Sequence, residues 1–217
     1  MEQVKIAAVG PFWGYGIHRT NKEGIEQALK WRPDIVVGQG TTADIGPHYI
    51  AEDFPENTRT CFKREYEIFL PLIEEYDIPC ILSAGTGGSN MQLDAHLRIM
   101  SEVAKEMGFK MRIAAIGGEL DKQYVKSKLM RREEMRRAVE TPRIPRHLSL
   151  EDIQRSEKIV SQMGAEPIMK ALDLDVDVIV TGRALDTALF AAFPLKMVFY
   201  KGLAYHMGRL VEIAGAI

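Results

Sequence analysis

The amino-acid sequence predicts an α/β fold with a doubly wound, mainly parallel sheet and helices on both faces. Three observations lead to this prediction: five short apolar runs each end at glycine, segments with helical spacing separate them, and helix-start signals precede several of those segments. Strands of a parallel sheet are buried on both faces, and their alternation with helices is typical of βαβ units. The pattern is therefore Rossmann-like.

The five predicted strands are runs of aliphatic and β-branched residues. They span residues 5–10, 34–40, 79–85, 111–118 and 176–182. Because each run closes on a glycine, each is interpreted as a buried strand followed by a turn.

The predicted helices are clearest where apolar residues recur at helical spacing. One such stripe consists of Leu93, Leu97, Met100, Ala104 and Met107. A stripe of this kind predicts a helix that packs one face against the sheet. Thr20, Ser89 and Ser149 each stand three positions before a Glu, Gln or Asp, which is the signature of a helix amino terminus.

One stretch interrupts this alternation. Basic residues crowd a predicted helix after Lys126, and Pro142 and Pro145 then exclude regular structure. We interpret residues 126–148 as a surface excursion of a single ligand-binding domain, 1–217. Its basic side chains are expected to form a solvated face, with contact to an acidic chain or to coenzyme A as the alternative.

Composition and charge exclude several classes of function. The 28 Lys and Arg nearly balance the 30 Asp and Glu, for a net charge of -2, so no overall field attracts nucleic acid or an anionic membrane. No apolar run reaches the length of a membrane span, and the start has no secretory signal pattern. Cys61 and Cys80 lack metal-ligand or redox spacing, which favours a reducing compartment, and we expect a cytoplasmic protein.

The position of a polar residue relative to the strands separates candidate site residues from turn residues. Open α/β sheets bind ligands beyond the carboxyl ends of their strands. Asp34, Asp175 and Asp177 precede strands instead, so we interpret them as turn residues.

The strongest local signal is the glycine-rich turn after the third predicted strand. It contains the substrate-binding candidates Gly85, Gly87, Gly88, Ser89 and Asn90. Free amides at the start of the following helix suit a phosphate or a carboxylate, and a tight turn required only by packing is the alternative. The turn lacks the lysine of a P-loop and the full dinucleotide spacing, so it does not identify a nucleotide.

The loop after the second predicted strand supplies three further candidates. Thr41 and Thr42 offer hydroxyls to a polar substrate, and Asp44 is a candidate general base. The alternative for Asp44 is an aspartate that closes a turn on nearby amides.

The loops after the last two predicted strands complete the candidate site. Arg183 can bind a ligand carboxylate through two nitrogens, or it can form an intramolecular salt bridge with Asp186. Asp186 is itself a catalytic candidate. Glu119 follows two glycines, where its carboxylate either reaches the crevice or caps a helix.

Weaker features limit the hypotheses. His206 has leucines at helical spacing and is predicted to be a core histidine. Phe12 and Trp13 either line an apolar ligand or anchor their own loop.

The sequence does not require a cofactor. The first turn lacks the dinucleotide glycine pattern, which disfavours a nicotinamide or flavin enzyme. The spacing of histidines and carboxylates defines no metal site, so no cofactor is required, although Mg²⁺ held by the candidate carboxylates stays an alternative.

Five segments, taken together and in this order, resemble the acyclic terpene utilisation (AtuA) family. They are residues 46–49 (GPHY), 83–88 (SAGTGG), 163–167 (MGAEP), 180–186 (VTGRALD) and 203–208 (LAYHMG). The resemblance covers nearly the whole chain and is most specific from residue 163 to residue 216. The chain departs from the family pattern after the second strand, where an acidic residue among small residues is expected and residues 39–44 read QGTTAD. The carboxylate is therefore shifted, so no family role transfers directly to Asp44.

The resemblance implies a bacterial or archaeal cytoplasmic protein linked to the breakdown of branched acyclic terpenoids. Family members are similar to a longer two-part protein, often accompanied by a small ferredoxin-like domain. The resemblance therefore identifies this chain as an amino-terminal part, or as one subunit of a split protein.

Two functional hypotheses follow. The favoured one is a catabolic enzyme, or the ligand-binding part of one, that acts on a small carboxylate or an acyl-coenzyme A by hydration, elimination or isomerisation. The other is a non-catalytic subunit that binds a partner chain, in a homo-oligomer or with a subunit such as a small ferredoxin-like protein. Exposed apolar residues on the last predicted helix, Leu203, Leu210 and Ile213, would favour the second hypothesis.

Overall fold

The described part of the chain forms a five-stranded parallel sheet. The computed structural model describes residues 3–10, 21–42, 46–55, 57–136, 138–139, 142 and 146–214. The strands are β1 (Ile6–Val9), β2 (Ile35–Gly38), β3 (Cys80–Ser83), β4 (Ile113–Ile116) and β5 (Val178–Thr181), in the order β1-β2-β3-β5-β4. All pairs are parallel, and each strand lies inside one of the five predicted runs, which confirms the predicted fold class.

Helices follow or precede every strand. They are α1 (Lys22–Lys30), α2 (His48–Ala51), α3 (Arg59–Tyr76), α4 (Asn90–Met107), α5 (Lys122–Met130), α6 (Leu150–Arg155), α7 (Ala165–Ala171), α8 (Asp186–Lys196) and α9 (Lys201–Ala214). The predicted start signals at Ser89 and Ser149 are confirmed, since each serine side chain accepts a hydrogen bond from the amide three residues later. The cap of α1 is Asn21, whose side chain accepts from Gly24 N, whereas Thr20 lies outside the described residues.

Successive side chains of the central strands point to opposite faces of the sheet and so enter two core clusters. Val36 and Leu82 pack with α1, α3 and α4 in the first core cluster, whereas Val37 and Ile81 pack with α7 and α8 in the second. Both faces of the sheet are therefore covered, as the continuous apolar runs predict.

The strand order places a topological switch point between β3 and β5. The chain advances from β1 through β3 to the edge strand β4, and it then returns to insert β5 between β3 and β4. The loop after β3 leads to α4 on one face, while the loop after β5 leads to α8 on the other. In open sheets of this kind, adjacent loops that leave in opposite directions border the edge of the sheet where ligands bind.

The aspartates at the opposite edge have the predicted structural role. Asp34 Oδ2 accepts from Lys5 N at 2.7 Å, and Asp177 Oδ2 accepts from Arg112 N at 2.6 Å. The guanidinium of Arg112 also pairs with Asp175 and Asp177, and these bonds hold the pKa of the Asp177 carboxyl below its usual value.

The interpretation of His206 as a core residue is wrong, because its side chain is exposed. Helix α9 packs on α8 through the small residues Ala204 and Gly208 instead. A Cβ atom on Gly208 would lie 2.7 Å from Thr187 O, so only a residue without a side chain fits this close contact. Because α9 faces α8 with Ala204 and Gly208, His206 lies on the solvent-exposed face of the helix.

No helix of the described chain has both the length and the apolar character needed to cross a lipid bilayer.

Candidate functional site

Buried polar side chains concentrate at the carboxyl edge of the sheet. They are Gln39, Thr41, Thr42, Ser83, Thr86, Ser89, Thr181 and Arg183. Burying a polar group is costly unless hydrogen bonds compensate for the lost water. Such a concentration at the ligand-binding edge of an α/β sheet therefore marks the candidate site.

Ser83 fixes the loop after β2 against the end of β3. Its Oγ accepts hydrogen bonds from Gly40 N at 2.8 Å and Thr41 N at 3.1 Å, and it lies 3.3 Å from Thr41 Oγ1. Thr42 N donates to Thr86 O at 2.9 Å. These bonds place the predicted binding residues Thr41 and Thr42 directly beside the glycine-rich turn.

Three loops meet at the switch point through glycine backbone. Arg183 N donates to Gly88 O at 3.0 Å, and a Cβ on Gly88 would lie only 2.3 Å from that nitrogen. Cβ atoms on Gly118 and Gly182 would lie 2.5 and 2.7 Å from Gly88 O. The glycines after β3, β4 and β5 thus allow their backbones to approach each other.

The amides of the glycine-rich turn donate to side chains of the protein. Gly87 N and Gly88 N donate to Gln92 Oε1 at 2.8 and 3.0 Å, and Gln92 N donates to Ser89 Oγ at 3.1 Å. Gly85 has a positive φ of 77°, and a Cβ there would lie 2.5 Å from Gln92 Cβ. A ligand anion at these amides would have to displace the Gln92 side chain.

Glu119 supplies the carboxylate at the amino terminus of α4. Its Oε1 accepts from Asn90 N at 2.8 Å, while Asn90 Oδ1 accepts from Gly118 N at 3.1 Å and Glu119 N at 3.4 Å. An acidic group is stabilised there by the helix dipole and by the free amide. Glu119 therefore caps a helix, as one interpretation predicted, but the helix is α4 rather than the one that follows it.

An ion pair that the sequence pattern did not reveal lies beside this cap. Ser89 Oγ donates to Asp53 Oδ1, and the Lys158 ammonium pairs with Asp53 Oδ2. The Asp53 side chain is 3% exposed, and its hydrogen bond raises the pKa of Lys158, with Glu119 adding to the effect. Asp53 and Lys158 lie in irregular segments that do not directly follow a predicted strand, so no pattern in the sequence indicated them.

The structure brings together residues from four of the predicted loops. Thr42 touches the glycine-rich turn, Gly88 touches Arg183, and Asn90 touches Glu119, while Asp186 opens α8. Asp44, Phe12 and Trp13 lie outside the described residues. Within the described ranges, no group of three or more His, Cys, Asp or Glu side chains is arranged to hold a metal ion.

A known family matches most of the chain. The model of the family described as acyclic terpene utilisation family protein AtuA matches residues 50–197, well over half of the chain. This range contains the segments 83–88, 163–167 and 180–186 and ends before 203–208. No curated protein and no solved structure matches the chain.

Proposed function

Because the chain belongs to the acyclic terpene utilisation (AtuA) family, we propose that it is a catabolic enzyme, or the ligand-binding part of one, that acts on a small carboxylate or an acyl-coenzyme A. The family is linked to acyclic terpene utilisation, and that link implies a catabolic role without specifying a reaction. The proposed chemistry is proton transfer in a hydration, elimination or isomerisation.

The observation that carries this proposal is the buried guanidinium at the switch point. Arg183 is only 5% exposed, and its backbone is held against Gly88 beside the hydroxyl-bearing loop of Thr41 and Thr42. A planar guanidinium binds a carboxylate through two parallel hydrogen bonds, and hydroxyls add neutral donors and acceptors. Because the amides of Gly87 and Gly88 already donate to a side chain, the proposal assigns the ligand anion to Arg183.

The proton-transfer step is assigned to a carboxylate of the same crevice. Glu119 stands at the junction of the β3 and β4 loops, one hydrogen bond from Asn90 and near the Lys158 ammonium. A carboxylate so placed can accept a proton from a carbon or a water and return it to the neighbouring atom. Asp186, in the first turn of α8, and Asp44 are the other candidates for this role.

Replacing Arg183 with lysine tests the assignment of the anion site. A lysine keeps one positive charge but loses the two-pronged geometry, so Arg183→Lys is expected to weaken ligand binding by about 1.5 to 3 kcal/mol while the fold is kept. Isovalerate, succinate and isovaleryl-coenzyme A are first compared by thermal shift. Calorimetry then gives the dissociation constant of the best ligand for wild type and variant.

The matched control is Arg155→Lys, on the exposed surface of α6, which is expected to change neither affinity nor melting temperature. Asp186→Asn tests the alternative that Arg183 serves only a salt bridge. A lower melting temperature in both Arg183→Lys and Asp186→Asn, with unchanged affinity, would remove Arg183 from the binding site.

A second candidate function, a subunit that binds another copy of the chain through α9, is favoured by the exposed apolar residues of that helix. Leu203, Leu210 and Ile213 are 65%, 59% and 44% exposed, and Tyr200 precedes them at 76%. Apolar side chains grouped on one helix face commonly mark a protein interface. The proposed oligomer would bury this face.

Sedimentation equilibrium at micromolar concentration tests this second function. Wild type is expected to self-associate, and Leu203→Glu combined with Leu210→Glu is expected to be monomeric and folded, because both leucines are exposed. The control pair Lys201→Glu and Arg209→Glu changes charge on the same helix without removing apolar surface. A wild-type monomer at every concentration contradicts self-association.

A further inference from the structure

A cavity separate from Arg183 lies along the outer side of α4. Its volume is about 470 Å³, and it extends from Met91 to Glu102, three turns of the helix, with α3 as its other wall. This volume falls within the range of cavities that hold small organic ligands. The end near Met91 reaches Gly85 of the glycine-rich turn.

The walls of this cavity are mainly apolar. Phe62 contributes an aromatic ring from α3. Met91, Ala95 and Ile99, four residues apart on α4, line the opposite wall of the cavity. Met91 is 59% exposed although it is apolar. An elongated apolar wall of this shape suits an aliphatic chain, because burial of methylene groups supplies the binding energy.

Three buried polar side chains line this space, Asp53, Gln92 and His96. Asp53 is bound by Ser89 and Lys158, and Gln92 by the amides of the glycine-rich turn, so His96 is the one considered for a ligand.

His96 is 3% exposed, its Nδ1 lies 2.8 Å from the Tyr66 hydroxyl, and Phe62 packs edge-on against its ring. Within the described residues Nε2 makes no hydrogen bond, so it is the polar atom that His96 offers to the cavity. Burial lowers the pKa of His96 to about 4, so the imidazole is neutral at pH 7 and can meet a hydroxyl or a carbonyl oxygen.

The charges at the far end of the cavity favour an anion. Arg98 is exposed and, in the part of the chain that the structure describes, makes no ion pair, while the Glu102 carboxylate is already paired with Arg59 and Lys63. Because Arg59 is used in pairing with Glu102, Arg98 is the lining charge at this end that an anion can pair with.

We propose that this cavity binds an aliphatic carboxylate that carries a hydroxyl or oxo group on its chain. The carboxylate pairs with Arg98, the chain lies against Phe62 and Ile99, and the oxygen on the chain forms a hydrogen bond with His96 Nε2. The proposal goes beyond the function assigned to Arg183, because it rests on a different cavity and on different residues.

Calorimetry with butanoate, octanoate and singly hydroxylated octanoates tests the ligand class. Each buried methylene should strengthen binding about fourfold, so octanoate is expected to bind well over tenfold more tightly than butanoate. The best hydroxyoctanoate should bind about tenfold more tightly than octanoate, because its hydroxyl forms a hydrogen bond with His96 Nε2. Octan-1-ol, which lacks the anion, should bind more weakly than octanoate. Equal affinity for butanoate and octanoate would overturn the proposal.

Three variants test the location. Ala95→Phe fills the cavity from an exposed position and should weaken octanoate binding at least tenfold, whereas Ser101→Phe, on the same helix outside the cavity, should have no effect. His96→Asn keeps an amide near the Tyr66 hydroxyl but removes the atom offered to the cavity. It should abolish the preference for the hydroxylated ligand. A melting curve for each variant confirms that the fold is kept.

The same titrations separate this proposal from the function assigned to Arg183. Loss of octanoate binding in Ala95→Phe, with binding unchanged in Arg183→Lys, supports the α4 cavity. Loss in Arg183→Lys with binding unchanged in Ala95→Phe overturns the α4 cavity and leaves the Arg183 site standing. If neither variant changes octanoate binding, or if no carboxylate binds, the proposal for the α4 cavity is wrong.

Discussion

Replacing Gly88 with alanine is expected to destabilise the protein by about 2 to 5 kcal/mol, a large fraction of the roughly 5 to 15 kcal/mol that stabilises a typical folded protein. Gly88 has a φ of 74°, and an added Cβ would lie 2.3 Å from Arg183 N and 2.5 Å from Arg183 Cα. The left-handed conformation costs a residue with a side chain about 1 to 2 kcal/mol, and overpacking adds about 1 to 3. Both clashing atoms are backbone, so β5 would have to move. Urea denaturation followed by circular dichroism measures the loss.

Gly108→Ala is the matched control for this experiment. Gly108 ends α4 with a nearly equal φ of 78°, but a Cβ there would meet no atom within 4 Å. Only the conformational cost of about 1 to 2 kcal/mol is therefore expected, without the cost of overpacking. Equal losses in the two variants would show that the contact between the β3 and β5 loops is not tight.

Acidification from pH 6.5 to pH 4 is expected to lower the free energy of unfolding by up to about 3 kcal/mol through one residue, His96. Burial lowers its pKa from 6.5 to about 4, so the unfolded chain binds this proton more readily than the folded one. The neutral imidazole keeps its full contribution above pH 6.5, and the loss grows as pH falls until it is complete near pH 4. Each unit of pKa difference corresponds to about 1.4 kcal/mol.

His96→Asn should flatten this part of the pH profile, although it lowers stability at every pH by opening a space beside Phe62. The comparison uses pH 5 to 6.5, because the depressed pKa values of Glu102 and Asp177 place their loss of stability at lower pH. An unchanged slope in the variant would assign the acid sensitivity to other groups.

The positions of the strands along the chain were predictable because they depend on local patterns. Each strand is a short apolar run closed by glycine, and Ser89 and Ser149 cap helices through atoms three residues away. The stripe on α4 is confirmed at Leu93, Met100 and Ala104, whereas Met107 is 45% exposed because it lies in the last turn, beyond the cover of the core.

The candidate site was predictable only in part, because its chemistry depends on contacts between distant segments. The rule that ligands bind at the carboxyl edge led to Arg183, Gly88 and Glu119, which the structure places together. This rule did not indicate that Glu119, which follows β4, would cap helix α4, which follows β3. In the sequence His96 is one polar residue among others on an amphipathic helix. Only the folded structure shows that Tyr66 and Phe62 of α3 contact its ring.

The insertion of β5 between β3 and β4 also constrains the order in which the chain can fold. In the described structure β4 pairs only with β5, and residues 117–177 separate these two strands along the chain. The β1-β2-β3 half can assemble from consecutive units as the chain leaves the ribosome, whereas β4 has no partner strand until β5 has been synthesised. The contact between Gly88 and Arg183 forms at that same late step, so the crevice is among the last features of the molecule to appear.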